Sequence, residues 1–317
     1  MSILFMGTPQ FAAYQLEYLI KHNYPIKAVV TVPDKSAGRG QKIQESDVKK
    51  TALQYAIPIL QPANLKDPEF IKQLEEMQLD LIIVVAFRML PKAVWSLPKY
   101  GCFNLHASLL PEYRGAAPIN HAIMQGEKIS GVSTFLIDEQ IDTGNILLQS
   151  KVDILDSDDA GTLHDKLMLA GAELIAETID AIYAKSVVPR KQPKNGEGKM
   201  APKIFPADCF LNAAEDVHRV HNKIRGLSPY PGARIYRPTE SGQKKLLKIY
   251  KAEVSNEMEM ETGQFQSDGK SFLKWQCQNG TLYLKEVQEE GKKRMEIGEY
   301  LRGIKDLPAN GKLFGEV

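Results

Sequence analysis

The sequence has little of what marks secreted and membrane proteins. It contains three scattered cysteines, and this odd number argues against a disulfide framework and predicts a reducing compartment. The longest unbroken apolar run, Leu81–Phe87, is far shorter than the roughly 20 residues that a membrane-spanning helix needs. The first residues, Met1–Gly7, include no basic segment, so they are not expected to form a signal peptide. We therefore expect a cytoplasmic protein that does not enter a membrane.

Signatures of phosphate and metal binding are also missing. The chain contains neither G-x-G-x-x-G nor G-x-x-x-x-G-K-[ST], which argues against a dinucleotide or ATP site. Gly7-Thr8-Pro9 follows the first apolar run and is predicted to form a tight strand-to-helix turn. His218 and His221 are three residues apart but have no third ligand nearby in the sequence, so no metal is predicted.

The composition is that of an ordinary globular protein with an uneven distribution of charge. Of the 317 residues, 43% are hydrophobic and 25% are charged, and the net charge is +1. Residues 1–189 carry a net charge of −5, whereas residues 190–251 hold 14 basic and 5 acidic residues, a surplus of +9. A basic stretch beside an acidic one favours a polyanionic partner, although the solvated lysines of a linker would give the same pattern.

Hydrophobic periodicity predicts an α/β protein of two domains. In the first half, short apolar runs alternate with amphipathic helical patterns, which is typical of a doubly wound, Rossmann-like parallel sheet. Proline and glycine are frequent between residues 187 and 206, and short strand-like runs divided by turn residues follow. We predict a catalytic domain over residues 1–188, a basic linker over 189–207 and a small OB-like β-barrel domain over 208–317.

The sharpest local feature is a polar pair near the end of a predicted strand, Gly101–His106. Asn104 and His106 are two residues apart, so their side chains project from the same face of that strand. An amide can donate to a developing negative charge, and an imidazole exchanges protons near neutral pH. A histidine that is merely satisfied at a strand end would show the same spacing. Asp142, in the turn Asp142-Thr143-Gly144, could either cap backbone groups or orient His106.

Several segments, in order along nearly the whole chain, resemble the methionyl-tRNA formyltransferase family. The segments that carry the resemblance are Met6-Gly7-Thr8-Pro9, residues 33–40, Phe103-Asn104-Leu105-His106, residues 108–111, residues 113–119, Asp142-Thr143-Gly144, residues 201–204 and residues 224–233. The core signature around His106 is shared by folate-dependent N-formyltransferases in general, whereas residues 37–40 and the C-terminal domain narrow the resemblance. Phe87-Arg88 departs from the Tyr-Gly that is commoner in the family.

The resemblance implies a reaction and a set of residues that perform it. A formyl group would pass from 10-formyltetrahydrofolate to the α-amino group of methionine on initiator methionyl-tRNA, with no metal. Asn104 would donate to the oxyanion, His106 would serve in proton transfer and Asp142 would orient the imidazole. The tetrahydrofolate contacts would be Ser108, Leu109, Leu110 and Pro111. Phe11 would pack on the methionine side chain, although an ordinary core residue would occupy the same helical position.

The resemblance also assigns the basic residues to tRNA. Lys35, Arg39 and Lys42 lie in a glycine-containing loop, and Arg39 would enter near the acceptor end. The basic stretch that follows the first domain would track phosphates. Its candidate contacts are Lys203, Arg225, Lys244, Lys245 and Lys248. We expect the protein to act as a monomer.

Three other functions share parts of this pattern. A formyltransferase acting on a nucleotide-linked amino sugar would keep the same catalytic residues, but residues 37–40 and the +9 stretch argue against it. Glycinamide ribonucleotide formyltransferase would not need residues 206–317. A non-catalytic RNA-binding protein would not need an intact Asn104, His106 and Asp142 set.

Overall fold

Residues 1–37, 42–193 and 198–315 are described by the computed structural model. The chain divides into two units, and each unit is assembled from separate stretches of sequence. The first unit comprises Met1–Gly115, Ile129–Asp153 and Asp165–Met200, and the second comprises Ala116–Lys128, Ile154–His164 and the chain from Ala201 onward. The domain bounds predicted from composition, at residues 188 and 207, stay a prediction.

Strands and helices alternate through the first part of the chain, as the periodicity predicts. In order, they are β1 Ile3–Gly7, α1 Gln10–Lys21, β2 Ile26–Val30, β3 Lys35–Ala37, β4 Lys42–Gln44, α2 Asp47–Gln54, β5 Ile59–Leu60, α3 Pro68–Glu76, β6 Leu81–Val85, α4 Lys92–Trp95, β7 Cys102–His106, β8 Arg114–Gly115, α5 Pro118–Met124, β9 Ile129–Leu136, β10 Ile146–Asp153 and α6 Ala160–Tyr183.

The first unit is built on a sheet with the strand order β10-β9-β7-β6-β1-β2-β5. Its strands β1, β2, β5, β6 and β7 are parallel, and the predicted doubly wound α/β fold is confirmed. The sheet differs from the expected fully parallel arrangement in β9 and β10, which run antiparallel to their neighbours. The short connection between β9 and β10 has no room for the crossover that parallel pairing requires.

The central strands β1 and β6 are buried along their whole length. Side chains that alternate along them, such as Leu4, Met6 and Val84, pack with Phe70 and Leu74 of α3 in one apolar cluster. Burial on both faces explains why these strands appear in the sequence as continuous apolar runs. The parallel strands end together at one edge of the sheet, and this edge carries the end of β7.

The second part of the chain adds short helices and an antiparallel sheet. Its elements are β11 Met200–Ala201, a 3₁₀ turn Ala207–Cys209, α7 Val217–Leu227, β12 Ala233–Pro238, β13 Lys244–Ser255, β14 Gln264–Ser267, β15 Leu273–Cys277, β16 Gly280–Glu289, β17 Met295–Glu296, α8 Ile297–Arg302 and β18 Asn310–Lys312.

The sheet of the second unit curls back on itself, as the OB-like prediction requires. Its order is β12-β13-β16-β15-β14-β18, and two backbone hydrogen bonds, of 2.7 and 2.9 Å, join Tyr236 of β12 to Phe314 beyond β18. Trp275 and Phe265 fill its interior and are fully buried. The longer strand-like runs predicted for this part of the chain correspond to β12–β16. The sequence analysis missed β17 and β18, which are two and three residues long and too short to show a period.

A buried charge cluster holds β12 and β16 of this second sheet together. Arg237 is fully buried, and its Nε donates to Glu289 Oε2 at 2.8 Å, while its Nη2 donates to Asp306 Oδ1 at 2.9 Å. The Tyr300 hydroxyl also donates to Glu289, at 2.9 Å. Lys245 Nζ lies 2.6 Å from Asp306 Oδ2. Part of the basic surplus of this region is therefore paired within the fold.

None of the helices in the described ranges is both long enough and apolar enough to cross a membrane.

We expect Gly131→Ala to destabilise the first unit. A Cβ at this position of β9 would lie 2.2 Å from the Ser150 carbonyl oxygen of β10 and 2.5 Å from Leu109 Cδ2. Overpacking of this kind costs about 1–3 kcal/mol, and here one of the clashing atoms is a backbone atom that cannot rotate away. Gly298→Ala in α8 is the control, because its Cβ would meet no atom closer than 3.4 Å. Urea denaturation of both variants measures the effect, and equal stability of Gly131→Ala and the wild type would contradict the prediction.

Candidate active site

His106 is the last residue of β7 and has one ring nitrogen fixed by the backbone. Its side chain is 8% exposed, and its Nε2 lies 2.9 Å from the carbonyl oxygen of Tyr113. A carbonyl can only accept, so Nε2 carries the hydrogen and donates. Nδ1 is therefore the nitrogen that can take up a proton. The ring also meets Phe135 edge to face, with 6.5 Å between the ring centroids, which holds the plane of the imidazole.

Asp142 faces the free nitrogen of that ring. Its Oδ2 is 3.9 Å from His106 Nδ1 and accepts a hydrogen bond of 3.0 Å from the Gly115 amide. Asp142 has a φ of 57°, in the left-handed region. Two residues on, Gly144 permits a close approach that a Cβ would block, since the added atom would lie 1.6 Å from the Leu136 carbonyl oxygen. The sequence prediction that Asp142 lies beside His106 agrees with this geometry.

Asn104 lies two residues before His106 on the same strand face, level with Val84 of β6. Its Oδ1 is buried and has no hydrogen-bond partner among the described residues. A buried amide oxygen without a partner costs free energy that most native structures avoid. Such a group is expected where a bound ligand supplies the missing partner. The assignment of Asn104, His106 and Asp142 as catalytic remains a prediction, supported by their convergence.

The segment after β7 is pinned to the two antiparallel strands. Ser133 Oγ of β9 donates to the Ser108 carbonyl at 2.6 Å and accepts from the Leu110 amide at 3.0 Å. Gln149 of β10 donates to the Leu110 carbonyl at 3.0 Å and to Ser133 Oγ at 2.8 Å. Leu110 is buried and precedes a cis peptide bond to Pro111. These contacts fix the four predicted cofactor contacts, Ser108, Leu109, Leu110 and Pro111, in one conformation.

A cleft of about 470 Å³ opens in the same unit. It is lined by apolar side chains, including Leu65, Leu90 and Trp95, and by charged side chains of both signs. The charged lining residues are Lys66, Arg88, Lys92, Asp138 and Glu139. Arg88 Nη1 and Nη2 donate to the carbonyls of Ala63 and Pro62, at 3.1 and 2.9 Å, and its guanidinium lies 5.2 Å from the Phe87 ring centroid. Of the unusual Phe87-Arg88 pair, Arg88 therefore lines this cleft. Phe11, the predicted methionine contact, is buried on α1.

The loop predicted to contact tRNA is flanked by two short paired strands, β3 and β4. Lys35, exposed to solvent, starts β3, and β3 pairs antiparallel with β4, in which Lys42 is opposite Ala37. Arg39 lies outside the described residues.

The basic candidates of the second unit fall into two groups. Lys203 and Lys244 are exposed, and each lies over an aromatic ring, at 5.5 Å from Phe205 and 4.4 Å from Phe314. Lys245, Lys248 and Arg225 are engaged internally.

Arg225 forms hydrogen bonds with backbone carbonyl groups of the same unit. Its Nη1 donates to the carbonyls of Leu155, Asp156 and Asp158 at 3.1, 3.1 and 2.7 Å, and burial lowers its pKa from the usual range. Lys248 Nζ donates to the Pro231 carbonyl at 3.1 Å. The roles of all five residues as tRNA contacts stay predictions.

One thiol lies on the same strand as Asn104 and His106. Cys102 starts β7, and its burial raises the pKa of the thiol well above the usual range, so it is a neutral core residue rather than a nucleophile. The described part of the chain contains no group of three histidine, cysteine, aspartate or glutamate side chains that could hold a metal ion.

Sequence reasoning missed two residues that border the site. Gln192 donates from Nε2 to the carbonyls of Asp142 and Gly144, at 3.1 and 2.7 Å. Its Oε1 accepts from Arg114 Nε at 3.1 Å and Nη2 at 2.6 Å. Gln192 was placed in the predicted linker, and no local pattern distinguishes it there.

Family models match both parts of the chain. The model of formyl transferases matches residues 1–179, and the model of the formyl transferase C-terminal domain matches residues 203–305. The first match covers more than half of the chain and contains the whole Asn104, His106 and Asp142 set. The fold and the site thus define a formyltransferase.

Similar proteins indicate which kind of formyltransferase this chain resembles. The chain is 45% identical over 306 residues to a methionyl-tRNA formyltransferase of Bacteroides fragilis, covering 95% of this chain and 94% of the relative. It is 46% identical over 303 residues to that of Flavobacterium johnsoniae, covering 95% and 96%. The chain belongs to the methionyl-tRNA formyltransferase family, as its sequence motifs predict.

A solved N-formyltransferase from Helicobacter canadensis, in complex with folinic acid and dTDP-3-aminofucose, has the same fold. It aligns with a TM-score of 0.65 at 21% identity over 90% of this chain and 98% of its own.

We expect Asn104→Ala to reduce kcat without reducing stability. Loss of an oxyanion donor costs about 100-fold or more in kcat. Removal of the side chain should leave the free energy of unfolding within about 0.5 kcal/mol of the wild type, because Asn104 Oδ1 has no partner in the described chain.

Asn279→Ala is the matched control, which we expect to lower stability and to leave kcat unchanged. Asn279 Oδ1 accepts from the Val217 amide at the start of α7, at 2.9 Å, and Nδ2 donates to Asp216 at 2.7 Å. This variant should lose about 1 kcal/mol and keep its kcat. Normal turnover in a folded Asn104→Ala protein would remove Asn104 from the catalytic set.

Proposed function

We propose that this protein transfers the formyl group of 10-formyltetrahydrofolate to the α-amino group of methionine on initiator methionyl-tRNA. The observation that carries the proposal is the convergence of Asn104, His106 and Asp142 at the end of β7. Full-length similarity to methionyl-tRNA formyltransferases supports the choice of acceptor.

The reaction exchanges one carbon–nitrogen bond for another. The folate supplies the formyl carbon, a bond from that carbon to the α-amino nitrogen forms, and its bond to N10 breaks. One proton leaves the amine and one is needed at N10, so no net proton is consumed. The protein has to stabilise the oxyanion that develops on the formyl oxygen and to move this proton.

Asn104 and His106 have chemistry suited to these two tasks. The Asn104 amide can donate from Nδ2 to the oxyanion, and its partly buried position makes that hydrogen bond stronger than in water. His106 can receive the proton at Nδ1, since Nε2–H is held by the Tyr113 carbonyl at 2.9 Å. The imidazolium so formed lies 3.9 Å from the Asp142 carboxylate, which stabilises the positive charge. The Tyr113 carbonyl and the Phe135 ring hold the imidazole before the transfer, and the charged pair with Asp142 would hold it once the proton has moved.

The cleft beside β6 fits a folate in size and chemistry. Its 470 Å³ is within the usual range for small-molecule sites, and its apolar lining suits a planar heterocycle. Lys66 and Arg88 suit the carboxylates of the folate tail, whereas Lys92 is already paired with Glu139 at 2.8 Å. The pinned segment of residues 108–111 would contribute the remaining contacts.

The tRNA would be held by charge on both units. Lys35, Arg39 and Lys42 would approach the acceptor end, and the exposed Lys203 and Lys244 would contact phosphates. Arg225, Lys245 and Lys248 would contribute further contacts with the tRNA, although each of them also has a partner within the fold. The protein would act as a monomer in the cytoplasm. Its three free, buried cysteines suit a reducing compartment.

The acceptor is tested by comparing candidate acceptors in separate reactions. The protein is incubated with 10-formyltetrahydrofolate and, in separate reactions, initiator methionyl-tRNA, an amino sugar nucleotide and glycinamide ribonucleotide. We expect formylation of the tRNA only. Preferential formylation of the amino sugar nucleotide would contradict the proposed acceptor and leave the formyltransferase class intact.

The exposed lysines of the second unit should appear in the salt dependence of tRNA binding. Each phosphate that loses its lysine should reduce the slope of log K against log salt by about 0.7–0.9. We therefore expect the double variant Lys203→Ala, Lys244→Ala to weaken binding and to give a shallower slope. Lys285→Ala is the control, because this lysine is paired with Glu253 at 2.7 Å. A wild-type slope in the double variant would show that the two lysines only solubilise the surface.

A further inference from the structure

Three consecutive residues, Tyr113, Arg114 and Gly115, each hold a different part of the site. The Tyr113 carbonyl accepts from His106 Nε2, and the Gly115 amide donates to Asp142 Oδ2. Between them, the 4% exposed Arg114 donates to Gln192 Oε1 from Nε and Nη2. Gln192 in turn donates to the backbone of the Asp142 turn. Residues 113–115 therefore contact His106 and Asp142 directly, and they also contact the Asp142 turn indirectly through Gln192.

The Asp142 turn needs such an external hold. Asp142 is in the left-handed region at a φ of 57°, which a side chain other than glycine adopts at a cost. The carboxylate of Asp142 has to point at His106 while its backbone turns away. The Gln192 amide bonds the carbonyls of Asp142 and Gly144, the two residues that bracket the turn, at 3.1 and 2.7 Å. The hydrogen bonds from Gln192 to the carbonyls on either side of Thr143 therefore fix the direction in which the Asp142 carboxylate points.

Arg114 determines which way the Gln192 amide faces. Its guanidinium can only donate, so the two bonds to Oε1 leave Nε2 pointing at the carbonyls. Reversal of the amide would place N–H against N–H and oxygen against oxygen.

We propose that Gln192, from the segment that follows α6, is a positioning residue that sets the Asp142 carboxylate against His106. This inference rests on the proposed function, because it assigns a role in the same reaction. Gln192 contacts backbone atoms of the turn and acts on turnover through Asp142.

The test combines three variants with a double-mutant cycle, in single-turnover formylation of initiator methionyl-tRNA. Gln192→Leu removes both the donor and the acceptor. Gln192→Glu keeps the acceptor for Arg114 and replaces the donor with an oxygen. Asp142→Asn keeps the shape of the carboxylate and removes its charge. Gln73→Leu, at an exposed position of α3, is the matched control and should behave as the wild type.

We expect Gln192→Leu and Gln192→Glu to lower the rate at saturation by at least about tenfold, since small misplacements of a catalytic group are costly. The KM values for both substrates should stay within about threefold, because the binding groups are untouched. In the Asp142→Asn background, Gln192→Leu should have no further effect beyond about twofold, the scatter of uncoupled sites.

Different failures have different meanings. Unchanged turnover in the Gln192 variants, or losses that multiply fully in the Asp142→Asn background, would overturn the inference. Loss of the fold in both Gln192 variants, measured by Tm, would also overturn it, since Gln192 would then be a structural residue. A wild-type protein that formylates no tRNA would instead overturn the proposed function.

Discussion

The hydrogen bond from His106 Nε2 to the Tyr113 carbonyl is the contact on which the arrangement of the site depends. It decides the tautomer, and so it decides that Nδ1 is the basic nitrogen. Nδ1 is also the atom nearest to the Asp142 carboxylate, at 3.9 Å. In the other tautomer the hydrogen would be on Nδ1, so the carboxylate would face a nitrogen that is already protonated and Nε2 would have no hydrogen for the Tyr113 carbonyl. The backbone around Tyr113, where φ is 59°, is therefore as much a part of the site as the side chains.

The fold supplies this arrangement through the way in which the strands end. β6 and β7 are parallel neighbours, so residues beyond Val85 and His106 emerge at the same edge of the sheet. β9 runs the other way, and it places Ser133 level with His106. Ser133 can then bond both the Ser108 carbonyl and the Leu110 amide. The antiparallel strands, which the sequence analysis took for parallel ones, are thus the support of the segment predicted to contact the folate.

The sequence predicted the parts of the site that have a local signature. A spacing of two on a strand is enough to place Asn104 and His106 on one face, and apolar runs are enough to predict buried strands such as β6. Asp142 followed from the family resemblance, since an Asp-Thr-Gly turn has no partner in its own neighbourhood. Arg114 and Gln192 could not be predicted, because they are 78 residues apart and a polar contact across that distance leaves no period. A count of charges also does not show which charged groups are buried. Arg225 and Arg237 count toward the basic surplus, but their guanidinium groups form hydrogen bonds within the fold.

Two of the features that cost this fold free energy lie where the chemistry is proposed. Asn104 Oδ1 is buried without a partner in the described residues, and Asp142 is held at a positive φ. Both features disfavour the folded state, typically by about 1–3 kcal/mol each. Elsewhere in the same unit, Ser133 and Gln149 satisfy the loop after β7 with a full set of hydrogen bonds. The stability gained from these hydrogen bonds can offset an unpartnered amide oxygen at Asn104 and a strained backbone at Asp142. A bound ligand that donates a hydrogen to Asn104 Oδ1 would remove the first cost, and a protonated His106 would pair with the Asp142 carboxylate.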